Sequence, residues 1–182
     1  MILFAGVDYG SKKAGTTVIS WKSPDGMVVM QSEKNKDADN WLLDIVLEKK
    51  IKNLFIDAPL SLPKAFYNPA ANADFFYREC DRSTNAMSPM FLGGLTARAI
   101  ALSNKLKDCQ VNTIEVYPAQ LRRLLGDEWM SLLTAYTGLN NEFILTSNNH
   151  VRDSLLAWLS GYRFNQNTHS MYGISDEGVI VV

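Results

Sequence analysis

Apolar residues come in short unbroken runs in the first third of the chain. Toward the end they recur every three or four positions. Ile2 to Val7 is a continuous apolar run that stops at Asp8, the pattern of a central strand buried on both faces. Residues 14–21 (AGTTVISW) predict a second strand, Ser23-Pro24-Asp25-Gly26 a turn, and Met27 to Gln31 a third strand. Three short strands on tight turns predict an antiparallel meander. Asp37 or Asp39 can cap a helix from about Asn40 to Lys50, with Trp41, Leu42, Ile45 and Val46 as its apolar face. Leu54-Phe55-Ile56 is a fourth strand, ending at Asp57. The intervening helix is a crossover, so this strand should lie parallel to the first.

Residues 58–92 break the rhythm with four prolines and six interleaved Phe and Tyr residues, and a short helix at about 70–80 is expected inside them. Segments this long between elements are usually binding loops or lids. Helices are then expected over 95–107, 119–125 and 128–136. A fifth strand is expected at Val111 to Val116, a long helix from Asn149 to Phe164, and a hairpin or terminal strand over Met171 to Val182. Meander, crossovers and helices together predict an α/β fold, with a mixed sheet covered on both faces.

Composition narrows the class. With 47% hydrophobic and 20% charged residues, global disorder is excluded, and 182 residues suit one domain, 1–182, with an insertion at 58–92. Eighteen basic residues against nineteen acidic leave no basic coat, so any nucleic-acid surface must be local. Cys80 and Cys109 lack the spacing of a zinc site, and two reduced thiols fit a cytoplasmic protein. No apolar run reaches the ~20 residues of a membrane span, and the N-terminal run reads as a strand rather than a signal peptide.

The candidate chemistry lies at strand ends. Asp8 and Asp57 each close a buried strand, and ligands of open α/β sheets bind outside the carboxyl ends of strands. Two acids brought together there repel unless a hard cation such as Mg²⁺ bridges them. Asp153 is a third candidate, in the first turn of the late helix and on one face with His150. Glu115, closing the fifth strand, is either a fourth acid of the crevice or the partner of an arginine such as Arg122 or Arg123. In GVDYGSKKAG, Gly10 permits a tight turn whose successive N–H groups can hold an anion, with Lys12 beside them. Arg78 and Arg82 would share a helix face, and residues 60–125 carry 8 basic against 5 acidic side chains, a weak sign of an anion-binding surface. The plain alternatives are a helix cap for each acid, solvated lysines, and aromatics that form the insertion's own core.

Taken in order, GVDYGSKKAGTTVIS, FIDAPLSLP, RECDR, EVYPAQLRRLLG and HVRDSLLAW resemble known proteins. The first resembles the opening strands of the RNase H-like superfamily, above all its resolvase-like branch. The whole series resembles the domain-of-unknown-function family four-twenty-nine, a family of predicted nucleases. The resemblance covers positions 4 to about 160. It implies an RNase H-like mixed five-stranded sheet, three antiparallel strands followed by parallel crossovers, flanked by helices. It also implies a Mg²⁺- or Mn²⁺-dependent nuclease in which Asp8, Asp57 and Asp153 hold the metal. Glu115 matches a family glutamate and is the expected fourth catalytic acid, and Arg78 and Arg82 match family basic positions; together with Lys12 beside the glycine turn, these two are expected to bind the phosphates of DNA or RNA. In the two-metal scheme, ions ~3.5–4 Å apart activate water and stabilise the leaving oxygen. The resolvase-like branch further implies a homodimer. Ser154 and Trp158 depart from the smaller residues expected beside Asp153 and on the helix face. Two other functions fit the same residues: a non-catalytic nucleic-acid- or protein-binding module, and an actin-like nucleotide-binding phosphotransferase using DYGS as its phosphate loop.

Overall fold

The structure is a computed structural model that describes residues 3–69 and 74–182. Its main sheet has five strands: β1 (Phe4–Asp8), β2 (Val18–Ser23), β3 (Gly26–Gln31), β4 (Asn53–Asp57) and β5 (Asn112–Glu115). The order across the sheet is β3-β2-β1-β4-β5. β1, β2 and β3 pair antiparallel, whereas β4 and β5 run parallel to β1, as the pattern predicts. The first crossover is α1 (Ala38–Glu48), capped by the Asp37 carboxylate on the N–H groups of Asp39 and Asn40. The second carries α2 (Glu79–Thr84), α3 (Pro89–Leu92) and α4 (Gly94–Asp108). After β5 come α5 (Pro118–Leu125), α6 (Trp129–Thr137), α7 (Asn141–Thr146) and α8 (Asn149–Asn165), then a hairpin of β6 (Met171–Ile174) and β7 (Gly178–Val181). No helix among the described residues is long and apolar enough to cross a membrane.

Strand alternation divides the core into two layers. Ala5, Val7, Leu54 and Ile56 pack with Leu42, Ile45 and Val46 of α1 and with Ala99, Leu102 and Leu106 of α4. Phe4 and Phe55 face the other way, onto Leu155, Leu156 and Leu159 of α8, Leu121 of α5 and Leu133 of α6. α8 lies almost on the sheet. A Cβ on Gly6 would stand 2.0 Å from the Trp158 nitrogen and 2.4 Å from the Ser154 oxygen, so only glycine permits this approach. Ser20 Oγ donates to that same Ser154 oxygen at 2.8 Å. Further along, Gly161 meets the rings of Phe55 and Phe4. α8 therefore runs opposite to β1, with its first turn over the Asp8 end of the strand.

Several expectations need correction. The second strand begins at Val18, not at residue 14, because the preceding threonines serve the turn: Thr17 Oγ1 accepts the Gly10 N–H and Thr16 Oγ1 the Ser11 N–H. Those two amides are thereby satisfied, so they do not form the expected anion cradle. Met1 and Ile2, and residues 70–73 of the expected 70–80 helix, lie outside the described residues. Over 74–77 no helix forms, because the Asp74 carboxylate accepts the N–H groups of Phe76 and Tyr77 and closes a turn instead. The helix starts at Glu79. α3 and α7, one turn or little more each, are too short to leave a periodic trace.

Candidate functional site

The site is assembled by strand parity. Asp8 follows Phe4 and Gly6 at two-residue steps, and Asp57 follows Phe55, so both carboxylates lie on the α8 face. They are register partners on adjacent parallel strands, at the carboxyl ends of both. α8 adds its first turn. Its N-cap is Asn148, whose side chain accepts the Val151 N–H. His150 Nδ1 lies 2.8 Å from Asp8 Oδ2, and Asp153 comes close enough to bear electrostatically on both strand acids.

The three aspartates are short of positive partners. Burial pushes Asp8 up to about 6, with His150 opposing and Asp153 adding to the rise. Burial raises Asp57 well above the ordinary range, reinforced by the charges of Asp8, Asp153 and Glu115. Burial likewise raises Asp153, while Arg122, His150 and Arg152 only partly offset it. Burial also raises the Tyr117 hydroxyl, with Arg123 opposing and Asp57 and Asp153 adding to the rise. Like charges left in a desolvated cleft mark a place where something cationic is wanted.

Glu115 is different. It pairs in register with Ile56, not with Asp57, which turns it to the α4 side of the sheet edge. There it meets Arg78, not Arg122 or Arg123. Arg78 Nη1 and Nη2 donate to its two oxygens at 2.8 and 2.6 Å, and the Leu60 N–H adds a third bond at 2.8 Å. Burial pushes the Glu115 carboxyl up, and these donors recover only part of the rise. Arg78 is correspondingly spent. It is 1% exposed and also donates to both oxygens of Asp81 and to Ser61 Oγ. Those contacts use all five guanidinium N–H groups, leaving none for a phosphate. Nor does Arg78 share a helix face with Arg82, since it is the extended N-cap of α2. The expected phosphate role of Arg78 is therefore replaced by a structural one.

The other two expected phosphate ligands are at the surface. Lys12 Nζ lies 3.1 Å from Asp37 and is half exposed. Arg82 pairs with Asp74, is largely exposed, and stacks over the Tyr77 ring at 4.8 Å. Neither lines the cavity of about 250 Å³ that opens beside Asp8, Tyr9, Asp57, Arg78 and Glu115. A cluster that sequence reasoning missed backs the Asp8 turn. Tyr9 Oη donates to Asp39 Oδ1 at 2.5 Å, and Arg98 donates to both Asp39 oxygens and to the Gly10 carbonyl. No local motif links Tyr9, Asp39 and Arg98; only folding joins them.

Oxygen donors with one imidazole suit a hard divalent cation. Among the described residues, no three Asp, Glu, His or Cys side chains are gathered closely enough to cage a metal outright. That still fits Mg²⁺ or Mn²⁺, which commonly take one or two carboxylates and leave other positions to water and phosphate.

No family model matches the chain. No curated protein matches it in sequence. Among solved structures the chain is similar to T. thermophilus RuvC in complex with a Holliday junction substrate, at 12% identity and a TM-score of 0.51, over 95% of this chain and 99% of that one. At that identity the likeness speaks to the fold, and the fold is RNase H-like.

Proposed function

We propose that the protein is a nuclease that hydrolyses phosphodiester bonds with the help of Mg²⁺ or Mn²⁺. The observation that carries the reading is the pairing of Asp8 with Asp57 at adjacent strand ends, joined by Asp153 from α8 and left without a cationic partner in proportion to their charge. Of Asp8, Asp57 and Asp153, one or two would hold each metal directly, with water and phosphate completing its shell; when bound it would supply a polarised phosphate and an activated water. His150 engages one oxygen of Asp8 and orients the carboxylate, as an outer partner does for a metal ligand. The Arg98–Asp39–Tyr9 cluster holds the Gly10 carbonyl and so steadies the backbone leaving Asp8. Glu115, neutralised by Arg78, shapes the cavity floor and takes no part in proton transfer. The capture of the Gly10 and Ser11 amides by Thr17 and Thr16 weighs against a phosphate loop of the actin-like kind.

RuvC is seen with a Holliday junction, which makes branched DNA a first substrate to try beside linear DNA and RNA. The test begins with calorimetric titration of Mn²⁺ into the wild type and into Asp8→Asn, with circular dichroism to establish that both are folded. Saturable binding lost in the variant, together with Mn²⁺-dependent cleavage lost at least 100-fold, is expected on the scale of removing a catalytic group. Full activity in Asp8→Asn overturns the reading. Nucleic-acid binding with no metal affinity in a folded wild type points instead to a non-catalytic module.

A further inference from the structure

Resting on the nucleic-acid reading above, we infer that the segment between β4 and α4 presents a stacking ledge for unpaired bases, which makes the substrate class nucleic acid with single-stranded or splayed nucleotides beside the acid crevice. Phe76 and Phe91 are 54% and 62% exposed, and Met87 is 59% exposed. Large rings left this open on a soluble surface mark an interaction site when they are contiguous. These are contiguous: the Phe76 and Phe91 centroids are 5.8 Å apart at 37°, and Tyr77 meets Phe91 edge-on at 5.8 Å. Arg82 lies over the Tyr77 ring.

The ledge adjoins the candidate site. Ala86 and Met87 line the acid crevice, while Ala86, Tyr77 and Arg82 line a neighbouring hollow of about 310 Å³. A strand lying across the rings would thus reach Asp8 and Asp57 without leaving the surface. The ledge is also held in place before anything binds. Asp74 accepts the Phe76 and Tyr77 N–H groups at 2.8 and 3.1 Å, Ser88 Oγ donates to the Phe76 carbonyl, and Thr96 Oγ1 donates to the Pro89 carbonyl at 2.7 Å. Little ordering entropy remains to oppose binding.

Charge selects the occupant. Arg82, paired with Asp74 yet largely exposed, borders the rings, and Arg123, donating to the Thr84 carbonyl at the end of α2 and lying over the Tyr117 ring, adds a second guanidinium beside the same helix. Aromatic faces beside arginines match bases and their phosphates, because every base offers a π-face once it is out of the duplex. Base pairs inside a duplex are covered on both faces by their neighbours, so apart from its two ends a duplex offers no such face to the ledge.

The experiment is fluorescence anisotropy in metal-free buffer, where no cleavage occurs. The probes are a labelled single-stranded oligonucleotide and a blunt duplex of the same length. The wild type should bind the single strand at least about tenfold more tightly, the scale of one stacked base. Phe76→Ala with Phe91→Ala should remove that preference and leave duplex affinity alone. Phe76→Tyr with Phe91→Tyr should keep it, and Phe91→Leu, apolar but without a π-face, should lose it. Thermal melts of all variants establish that each is folded. Equal affinity for the two probes, or a double alanine variant with undiminished single-strand binding, overturns the inference. So does a concentration-dependent dimer that the double alanine variant abolishes, since the rings would then be covered by a second copy. The two readings fail separately. A protein that binds single strands through the ledge but cleaves nothing with Mn²⁺ loses the nuclease reading only. One that cleaves in an Asp8-dependent way, indifferent to the ring variants, loses the ledge only.

Discussion

Asp57 shows most directly what the site costs the fold. Its carboxyl is desolvated and faces Asp8 and Asp153, so ionising it costs folding free energy. Asp57→Asn removes the repulsion at nearly constant volume. In metal-free protein at neutral pH it should raise the melting temperature, and the same variant should no longer be stabilised by Mn²⁺; a differential-scanning measurement with and without the ion checks both. The sign follows from linkage. Asp8 is raised from 3.8 to about 6, so between those pH values the folded protein keeps a proton that the unfolded chain has released. Stability of the metal-free protein should therefore fall as pH climbs from about 4 to about 6, by roughly 2–3 kcal/mol from Asp8, and Asp8→Asn should flatten that part of the curve. Asp8 and Asp57 were legible in the sequence because each stops an apolar run. His150 was legible only as a helical neighbour of Asp153, and its contact with Asp8 spans 142 positions. Glu115 could not be assigned: a single step of strand parity separates a crevice acid from the partner of Arg78, and a four-residue strand carries too little pattern to set that step.

Among the elements, the close pair is α8 and β1. Gly6 and Gly161 remove the side chains that would hold the helix away, and Ser20 ties the helix backbone to β2. Gly6→Ala would drive a Cβ into backbone atoms of Trp158 and Ser154, which cannot move aside as a flexible side chain can. It should cost about 3 kcal/mol or more, the upper end of overpacking effects, and be read as an early midpoint in urea unfolding. If the protein survives, Mn²⁺ affinity should fall as well, because lifting α8 carries Asp153 and His150 away from Asp8. The departure expected at Trp158 is resolved at this scale. Its backbone, not its side chain, meets Gly6, and its ring leaves the contact to stack on Phe4 at 5.5 Å. α8, β1 and β4 were readable from periodicity. The start of β2 was not, because Thr16 and Thr17 have strand-forming side chains that the turn uses as hydrogen-bond acceptors.

For the whole molecule, the buried Arg78 network joins distant parts of the chain. It binds the segment after β4 through Ser61, the start of α2 through Asp81 and the end of β5 through Glu115. The terminal hairpin closes over it. A Cβ on Gly178 would stand 2.3 Å from Ser61 Oγ and 3.1 Å from Arg78 Nη1, and Glu177 accepts the N–H groups of Lys64 and Glu79. Arg78→Met would strand two buried carboxylates, Asp81 and Glu115. The expected loss is about 3–5 kcal/mol in denaturant unfolding, as for breaking a buried pair from one side. A phosphate-binding arginine would instead show weaker nucleic-acid binding at unchanged stability, so the two roles separate in one experiment.

The sequence by itself determined the five main strands, the antiparallel meander and the parallel sense of the fourth strand, because those follow from local runs, tight turns and the handedness of crossovers. It also marked Asp8, Asp57 and Asp153, since an acid that ends an apolar strand or opens a helix is visible without its neighbours. Only the tertiary structure decided which charges stand alone and which are matched. Asp8 and Asp57 became neighbours facing α8, whereas Arg78 and Glu115, 37 positions apart, neutralised each other. Pairing of that kind depends on distance through space and on burial, and neither is encoded in any single stretch of chain.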